Sequence, residues 1–287
     1  MKLIYFLKMK FKKPKFWDLK KPNFTSYLLF PFTIFFELNN FFQSVVSKKK
    51  INAIKSICIG NIYLGGTGKT PSTIRLYEIL KKTNFNVCTG KKYYQEHFDE
   101  QTMLDEKTNL IVDNNRIKII EEALKQKFEL VIFDDGLQDK TLNYNLKIVC
   151  FDVNKWIGNG QLIPSGPLRE KLKSLKKYDA VFLKNHNSYI NDIKQILKKH
   201  NPLIKIFHSK LNPTNLNNFD LNQNYTIFSG IGNPENFKDL LEKNNFKIVK
   251  EIIFPDHYNY KKKDIDNIKS IANTLNAKII TTEKDFV

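Results

Sequence analysis

The chain of 287 residues contains only three cysteines, Cys58, Cys88 and Cys150. Each stands alone in an apolar stretch, so no pair has the spacing of zinc ligands. Three scattered thiols also give no even-numbered disulfide framework. The sequence therefore excludes a zinc module and a disulfide-stapled scaffold, and it predicts that the thiols are small core residues in a reducing compartment.

The sequence also has no uninterrupted apolar run of the length that crosses a bilayer, which is about 20 residues. Its most apolar stretch, SYLLFPFTIFF (26–36), is broken by Pro31 and followed by Glu37, Asn39 and Asn40. No convincing small-residue cleavage site follows it, which argues against a secretory signal. We therefore expect the chain to stay in the cytoplasm.

Acidic residues are few, with 29 Asp and Glu against 47 Lys and Arg, which gives a formal net charge of +18. Such an excess can indicate nucleic acid, because lysine and arginine release counterions from phosphates. The lysines are spread along the whole chain, however, and its body shows no RNA- or DNA-binding motif with stacking aromatics. We expect no nucleic-acid partner. A nucleic-acid binder stays open as the alternative that charge alone suggests.

Basic residues do concentrate at the amino terminus, where KMKFKKPKFW (8–17) interleaves lysine with aromatic residues. The apolar stretch 26–36 follows, and Ser47 to Lys50 form a second basic flank. Lysines around aromatic and aliphatic side chains suit anionic lipid headgroups. We interpret residues 1–50 as a helical segment that lies in a membrane interface. The alternative is an amphipathic helix that packs on its own domain.

A glycine-rich stretch, YLGGTGKTPS (63–72), follows an apolar run and precedes a helical pattern. It matches the phosphate-loop pattern G-x-x-x-x-G-K-[ST] except that Tyr63 stands at the first glycine. Glycines let the backbone N–H groups point inward, Lys69 can reach the β- and γ-phosphates, and Thr70 can offer its hydroxyl to Mg²⁺. The sequence thus predicts a nucleotide phosphate site at Gly65, Gly66, Thr67, Gly68, Lys69 and Thr70.

The acid that such a site needs is supplied by FELVIFDDGLQ (128–138), an apolar strand pattern that ends in Asp134 and Asp135. In open parallel sheets, ligands bind at the carboxyl ends of the strands. Two adjacent carboxylates repel each other unless a cation lies between them. We therefore expect Thr70, Asp134 and Asp135 to hold Mg²⁺. An Asx turn that caps the strand explains one of the aspartates more easily than two.

Six motifs in a fixed order carry a resemblance to the tetraacyldisaccharide 4′-kinase family. They are GNIYLGGTGKTP (60–71), DDGLQ (134–138), GNGQLIPSGPLRE (158–170), FSGIGNPENF (228–237), FPDHYNY (254–260) and TTEKD (281–285). The likeness runs from about Trp17 to the end of the chain. It implies a kinase that uses ATP and Mg²⁺ to phosphorylate the 4′-hydroxyl of a lipid A precursor disaccharide on the cytoplasmic face of the bacterial inner membrane.

The resemblance also implies roles for particular residues. In the family an Asp–His pair accepts the proton of the sugar hydroxyl, and the matching residues here are Asp99 and His257, with Lys69 neutralising charge. Phe98 and Gln101 stand where the family usually has Gly and Pro. The alternatives are a capping loop histidine and a solvated acidic loop. Substrate contacts are expected from Lys91, Tyr93, Gln138 and Arg169.

Alternating strand and helix patterns occupy residues 53–208, and an Asn-rich stretch (212–224) separates them from another alternating unit. We predict an α/β fold: a P-loop NTPase-like parallel sheet with helices on both faces and a smaller α/β carboxyl-terminal domain that closes over the loop. The predicted divisions are a membrane-associating segment (1–50), a kinase core (51–210), a linker (211–224) and the smaller domain (225–287).

One enzymatic alternative stays open, a P-loop GTPase or metallochaperone-type switch NTPase that acts on a protein. It explains GGTGKT and the paired aspartates equally well. It requires a guanine-selecting motif of the Asn/Thr-Lys-x-Asp type, of which LKNH (183–186) is a poor version and TEKD (282–285) a closer one. It does not explain the apolar amino terminus, and no obligate protein partner is evident from the sequence.

Overall fold

In a computed structural model, the chain forms two compact units, Lys15–Asn212 and a second that begins at Pro213. The structure describes residues 13–35, 37–38, 53–95, 98–139, 141–185, 187–210, 212–213 and 215–286. The first part of the basic stretch 8–17, up to residue 12, and the second flank, Ser47 to Lys50, therefore lie outside the described residues. The division at Pro213 falls inside the expected linker, and the domain boundaries stay a prediction.

The first unit is built on seven strands, and every pairing between neighbours is parallel. Their order in the sheet is β3-β2-β4-β1-β5-β6-β7. The strands are β1 (Lys55–Gly60), β2 (Val87–Lys92), β3 (Leu110–Asp113), β4 (Leu130–Asp134), β5 (Leu146–Asp152), β6 (Ala180–Lys184) and β7 (Lys205–Ser209). Because β1 and β4 are neighbours with Ile59 opposite Asp134, the glycine-rich loop and the paired aspartates emerge side by side.

Helices cover both faces of this sheet. They are α2 (Lys69–Lys82), α3 (Phe98–Lys107), α4 (Arg116–Lys125) and α5 (Ile190–His200). Alternate residues of the strands face opposite ways, so Ile59 packs in a cluster with Tyr77 of α2, while Cys58 packs in the cluster of Ile119 and Ile193. The near-continuous apolar strands are typical of a parallel sheet buried on both sides. The three cysteines are free and buried.

The described amino-terminal residues pack on the first unit. Helix α1 (Phe24–Leu29) lies between 3₁₀ turns at Lys15–Asp18 and Phe30–Phe32. Its buried contact is polar, because the hydroxyl of Ser165 donates to the carbonyl of Ser26 (2.6 Å) and the Asn159 amide donates to the Ser26 hydroxyl (2.9 Å). No helix among the described residues is long and apolar enough to cross a membrane.

The second unit has a three-stranded sheet in the order β10-β8-β9, again with parallel pairings. Its core contains Tyr225, Ile227, Leu241, Phe246 and Ile280. The elements are β8 (Asn224–Ser229), α6 (Pro234–Glu242), β9 (Lys247–Ile253), α7 (Lys262–Thr274), β10 (Ala277–Ile280) and α8 (Glu283–Phe286). The predicted fold class, a parallel α/β sheet with a smaller α/β unit, is confirmed.

Candidate active site

The glycine-rich loop leaves β1 and turns into α2 without a side-chain cap on the helix. Gly65 and Gly68 have φ angles of 142° and 83°, a region that side chains disfavour. The amide of Asn61 donates to the carbonyl of Gly65 (3.2 Å) and to the hydroxyl of Thr67 (3.1 Å), which fixes the loop from inside. The uncapped amides at the start of a 14-residue helix are therefore available to an anion.

Asp135 lies beside the lysine of this loop. The ammonium of Lys69 is 3.8 Å from its carboxylate, and the guanidinium of Arg169 is 3.2 Å from the same oxygen. Burial opposes ionisation of Asp135, but the two cations outweigh it and lower its pKa to about 2. The carboxylate is therefore ionised at neutral pH. The structure brings together three of the predicted site residues here.

Asp134 is completely buried and receives three donors. The hydroxyl of Thr70 donates to Oδ2 (3.0 Å), that of Thr73 to Oδ1 (3.3 Å), and the ammonium of Lys91 to Oδ2 (2.5 Å). Lys91 also donates to Glu100 (2.7 Å). Burial opposes the charged form of Lys91, but Asp134 and Glu100 raise its pKa above the ordinary value, so it is an ammonium ion. Its predicted contact with phosphate stays a prediction.

The oxygen atoms of Thr70, Asp134 and Asp135 are of the kind that ligate a hard divalent cation. Mg²⁺ prefers oxygen ligands and usually takes one or two carboxylates together with phosphate oxygens and waters, rather than an all-protein cage. Within the described ranges, no three or more His, Cys, Asp and Glu side chains are grouped as a metal cage. Asp134 and Glu100 both pair with the single ammonium of Lys91. Thr70, Asp134 and Asp135 as ligands stay a prediction.

The predicted base Asp99 lies in the first turn of α3, not in a solvated loop. Its carboxylate accepts a hydrogen bond from the backbone amide of Glu100 (2.8 Å). Glu100, the next residue, reaches Lys91, and this contact is not apparent from the sequence although both acids stand in FDEQ (98–101). Gln101 donates to the carbonyl of Tyr94 (2.9 Å) and so ties the start of the helix to the end of β2. Tyr93 is exposed at the same end.

Arg116 at the start of α4 was not expected at the site. Its guanidinium donates to the backbone carbonyl of Asp135 (2.5 Å) and to the carboxylate of Asp139 (2.6 Å). Asp135 itself has a left-handed backbone with φ of 59°, which a non-glycine residue rarely adopts. Arg116 therefore supports the turn that presents Asp135. No local pattern signals such a contact, because it joins two elements across the end of the sheet.

The loop at 158–170 connects the site with the amino-terminal segment. At one end, the indole of Trp17 donates to the carbonyl of Pro164 (3.0 Å). At the other end, the amide of Leu64 donates to the carbonyl of Pro167 (2.8 Å) and that of Arg169 to the carbonyl of Ile62 (2.7 Å). This loop therefore holds Arg169 next to the phosphate loop and serves as the platform for the amino-terminal helix.

Gln138, a predicted substrate contact, lies inside the same network. Its amide nitrogen donates to the carbonyl of Asn61 (3.0 Å) and to Glu170 (3.0 Å), and its oxygen accepts from Arg169 (3.2 Å). Arg169 also pairs with Asp135. The side chain thus links the phosphate loop to the loop at 158–170, and its contact with substrate stays a prediction.

His257, the predicted partner of Asp99, belongs to the second unit. It has a left-handed backbone with φ of 55°. Its amide donates to the carbonyl of Gly230 (3.0 Å), and its ring nitrogen Nε2 is 3.8 Å from Asp256. Asp99 belongs to the first unit, and its pairing with His257 stays a prediction.

The aspartate of TEKD (282–285), the closer version of a guanine-selecting motif, already accepts several hydrogen bonds within the protein. One carboxylate oxygen of Asp285 accepts from the amide of Gly230 (2.7 Å) and the hydroxyl of Tyr260 (2.9 Å), and the other accepts from Thr282 (2.5 Å). A base-reading aspartate must present its carboxylate to the ring. Asp285 is half-buried and instead bonds groups of its own unit. His186 of LKNH lies outside the described residues.

A glycine-rich loop with Lys69, a helix that starts at that lysine, and aspartates at the end of the adjacent parallel strand define a P-loop enzyme that acts on a nucleoside triphosphate. The family model for tetraacyldisaccharide-1-P 4′-kinase matches residues 26–287. The chain therefore belongs to the tetraacyldisaccharide 4′-kinase family, as the sequence motifs predict.

Individual relatives agree with this assignment. A tetraacyldisaccharide 4′-kinase of Pelagibacter ubique is 50% identical over 97% of this chain and 88% of its own length, and one of Rickettsia bellii is 36% identical over 96% and 88%. LpxK of Aquifex aeolicus, solved in complex with ATP, has a TM-score of 0.62 and 22% identity over 91% of this chain and 89% of that one, which shows a common fold. The chain is an ATP-dependent kinase of lipid A biosynthesis, with ATP and Mg²⁺ as its cofactors.

Proposed function

We propose that this protein transfers the γ-phosphoryl group of ATP to the 4′-hydroxyl of a tetraacylated glucosamine disaccharide 1-phosphate. The observation that carries the proposal is the buried contact of Thr70 with Asp134 beside the phosphate loop, in a chain whose family is named for this reaction. The new bond joins the 4′-oxygen to the γ-phosphorus, and the bond from that phosphorus to the bridging oxygen of ADP breaks.

The loop and its neighbours position the triphosphate. Lys69 and the first amides of α2 hold the β- and γ-phosphates, because they are the cation and the uncapped donors at this turn. Thr70, Asp134 and Asp135 would hold Mg²⁺, which would supply charge neutralisation at the phosphate oxygens. The Lys69–Asp135 separation of 3.8 Å leaves the lysine free to turn from the carboxylate to the nucleotide. Arg169 then keeps Asp135 paired.

Asp99 accepts the proton of the 4′-hydroxyl, with His257 as its partner. A carboxylate alone is a weak base at neutral pH, and an imidazole that holds or exchanges a proton can orient it and tune its basicity. In a loose transition state, positioning and charge neutralisation contribute most of the rate. We therefore expect loss of Asp99 or His257 to affect the rate of transfer more than the affinity for ATP.

The amino-terminal segment places the enzyme on the cytoplasmic surface of the inner membrane, where its lipid substrate lies. Ser26 and Thr33 are buried, so one side of the segment belongs to the domain. The other side exposes Phe24, Tyr27, Leu28, Phe30, Phe32, Ile34 and Phe35. Phe24 is 81% exposed, and a contiguous apolar surface of this kind is typical of a membrane or partner contact. The buried side fits the alternative interpretation, packing on the domain, and the exposed side supports the proposed membrane contact.

Transfer of ³²P from labelled ATP to the disaccharide precursor in detergent micelles tests the proposal. We expect Lys69→Ala, Asp99→Ala and His257→Ala to lower transfer by at least about 10²-fold. The exposed residues Lys82 of α2 and Asp105 of α3 supply matched controls, because Lys82→Ala and Asp105→Ala change the same helices away from the site. Hydrolysis of ATP with no labelled lipid would instead favour the switch NTPase acting on a protein partner.

Sedimentation with anionic phospholipid vesicles tests the membrane contact separately. The paired change Phe24→Ser and Phe35→Ser removes apolar surface from the exposed side and should weaken vesicle binding about 10-fold. Leu203, which is 86% exposed on the same unit, gives the control Leu203→Ser. Equal binding by the wild type and the paired variant would contradict the proposed membrane contact and leave the kinase assignment intact.

A further inference from the structure

Three motifs of the second unit meet at one side chain. Asp285 of α8 is the aspartate of TTEKD, Gly230 belongs to FSGIG, and Tyr260 ends FPDHYNY. One oxygen of the Asp285 carboxylate accepts from the amide of Gly230 (2.7 Å) and from the hydroxyl of Tyr260 (2.9 Å). The other oxygen accepts from the hydroxyl of Thr282 (2.5 Å). A single acid therefore joins two loops to the last described helix.

Gly230, whose amide Asp285 holds, also bonds His257 through its carbonyl. The carbonyl of Gly230 accepts the amide hydrogen of His257 (3.0 Å). A Cβ at Gly230 would lie 3.0 Å from the Asp285 carboxylate, 3.0 Å from the Tyr260 hydroxyl and 3.1 Å from the carbonyl of Pro255. A side chain at this position would therefore press on all three groups. Asp285, Gly230 and His257 thus form one continuous chain of contacts.

His257 needs this support because of its backbone conformation. Its φ of 55° lies in the left-handed region, which a non-glycine residue rarely adopts and keeps only where surrounding contacts fix it. Its amide donates to Gly230 and to the side chain of Asp256 (3.1 Å). Asp256 is in turn bonded by Lys284 (2.9 Å), the residue before Asp285. Helix α8 therefore holds the His257 loop on both sides.

The chemistry of the contacts suits a permanent support. Burial and the neighbouring Asp285 both raise the pKa of Tyr260, so its hydroxyl stays protonated and remains a donor. The ring of Tyr260 packs edge-on against Phe228 (5.3 Å) and Phe254 (5.0 Å), which restricts where the hydroxyl can point. A hydrogen bond from a fixed donor to a carboxylate is among the stronger neutral-to-charged contacts.

We infer that Asp285 is a positioning residue for His257, which it holds in the left-handed conformation through Gly230 and Tyr260. This inference rests on the proposed function, in which His257 is the partner of Asp99. It assigns a purpose to TTEKD that differs from base recognition. Asp285 contacts neither substrate nor the reacting atoms in this assignment, and it acts on the rate only through the histidine.

A double-mutant cycle on phosphoryl transfer tests the inference. Asp285→Ala should lower kcat at least about 10-fold and leave the KM for ATP within about 2-fold, because the phosphate loop is untouched. In His257→Ala, the further change Asp285→Ala should cost little, since the two residues act as a unit. Asp266→Asn, an exposed acid on α7, is the control and should leave transfer unchanged. Losses that multiply in the double variant would overturn the inference.

Amide hydrogen exchange supplies a readout that does not depend on activity. Exchange of residues 254–260 should rise at least about 10-fold in Asp285→Ala, while exchange in β8 stays as in the wild type. Unchanged exchange at 254–260 would overturn the inference. If His257→Ala keeps wild-type transfer, the proposed role of His257 is wrong, and the exchange result still decides whether Asp285 holds the loop. Asp285→Asn, which keeps the shape of the side chain, replaces the alanine variant if that variant does not fold.

Discussion

The phosphate loop of the first unit and the His257 loop of the second unit use left-handed backbone in different ways. The phosphate loop places glycines, Gly65 and Gly68, at its positive φ angles, where glycine adopts the conformation without strain. The second loop places a histidine at such an angle. A glycine suffices where only the backbone must approach a ligand, but a position that must also carry an imidazole cannot be glycine.

The two regions consequently depend on different supports. Around the phosphate loop, charged side chains pair with one another, as Lys69 does with Asp135 and Lys91 with Asp134. These pairs can exchange partners when an anion and a cation arrive. Around His257, the support is a fixed set of hydrogen bonds that ends at Asp285. The first region is thus built to receive charge, and the second to hold a shape.

Gly68→Ala gives the largest effect expected from this comparison. A Cβ at φ of 83° is strained, and it would lie 3.1 Å from the side chain of Lys184. We expect ATP affinity to fall about 10²-fold in a binding titration, because the loop amides no longer point at the phosphates.

Gly160→Ala is the matched control for that change. Its φ of 77° is similar, but the added Cβ would meet only Ile157, at an ordinary 3.7 Å. The free energy of unfolding should fall by about 1–2 kcal/mol, as for any residue forced into the left-handed region, with ATP affinity unchanged. Equal losses of affinity in both variants would show that strain in general, and not the geometry of the phosphate loop, weakens binding.

The sequence predicts the first region better than the second. Continuous apolar strands are local features, and they suffice to predict the parallel sheet. The pattern of Gly68, Lys69 and Thr70 is also local, and it predicts the phosphate site. Arg116 and Asp285 were not predicted, because each bonds a backbone group of an element distant in the chain. The contact of Glu100 with Lys91 spans only nine residues, but it depends on how α3 packs against the end of β2. A side chain that bonds a distant carbonyl leaves no spacing pattern for sequence reasoning to detect.

The amino-terminal segment shows a second limit of sequence reasoning. Its most apolar residues are exposed, while Ser26 is completely buried. Ser26 is buried because the segment approaches the loop at 158–170 closely. The side chain at this position must be small and must accept a hydrogen bond from the Asn159 amide. A ranking of residues by hydrophobicity therefore orients this segment the wrong way round. The same close approach requires glycine at position 158, since a Cβ there would lie 2.1 Å from the carbonyl of Trp17.

Acid should weaken the first region through Asp135, and the expected effect on the free energy of unfolding is intermediate in size. Asp135 has a pKa of about 2 against an ordinary 3.8, so its ionised form stabilises the folded protein. Because the folded-state pKa is lowered, that stabilisation is complete above about pH 4 and is lost as the pH falls toward 2, and it amounts to about 2 kcal/mol. The free energy of unfolding in urea, compared between wild type and Asp135→Asn, measures it. A difference that did not shrink between pH 4 and pH 2 would show that Asp135 stabilises the fold by packing instead of by charge.

Tyr260→Phe tests the second region with the smallest change. It removes one hydroxyl and keeps the ring against Phe228 and Phe254, so only the hydrogen bond to Asp285 is lost. Asp285 retains its hydrogen bonds with the amide of Gly230 and the hydroxyl of Thr282. We therefore expect the free energy of unfolding to fall by about 1 kcal/mol and the His257 amide to exchange a few-fold faster. Tyr258→Phe, which removes a hydroxyl bonded to Asp264 at 3.2 Å, is the matched control and should leave that amide unchanged. Equal acceleration of exchange in both variants would show that the aromatic residues hold the His257 loop as a group. The contrast between this loop, fixed by one carboxylate, and the phosphate loop, built from glycines, would then be wrong.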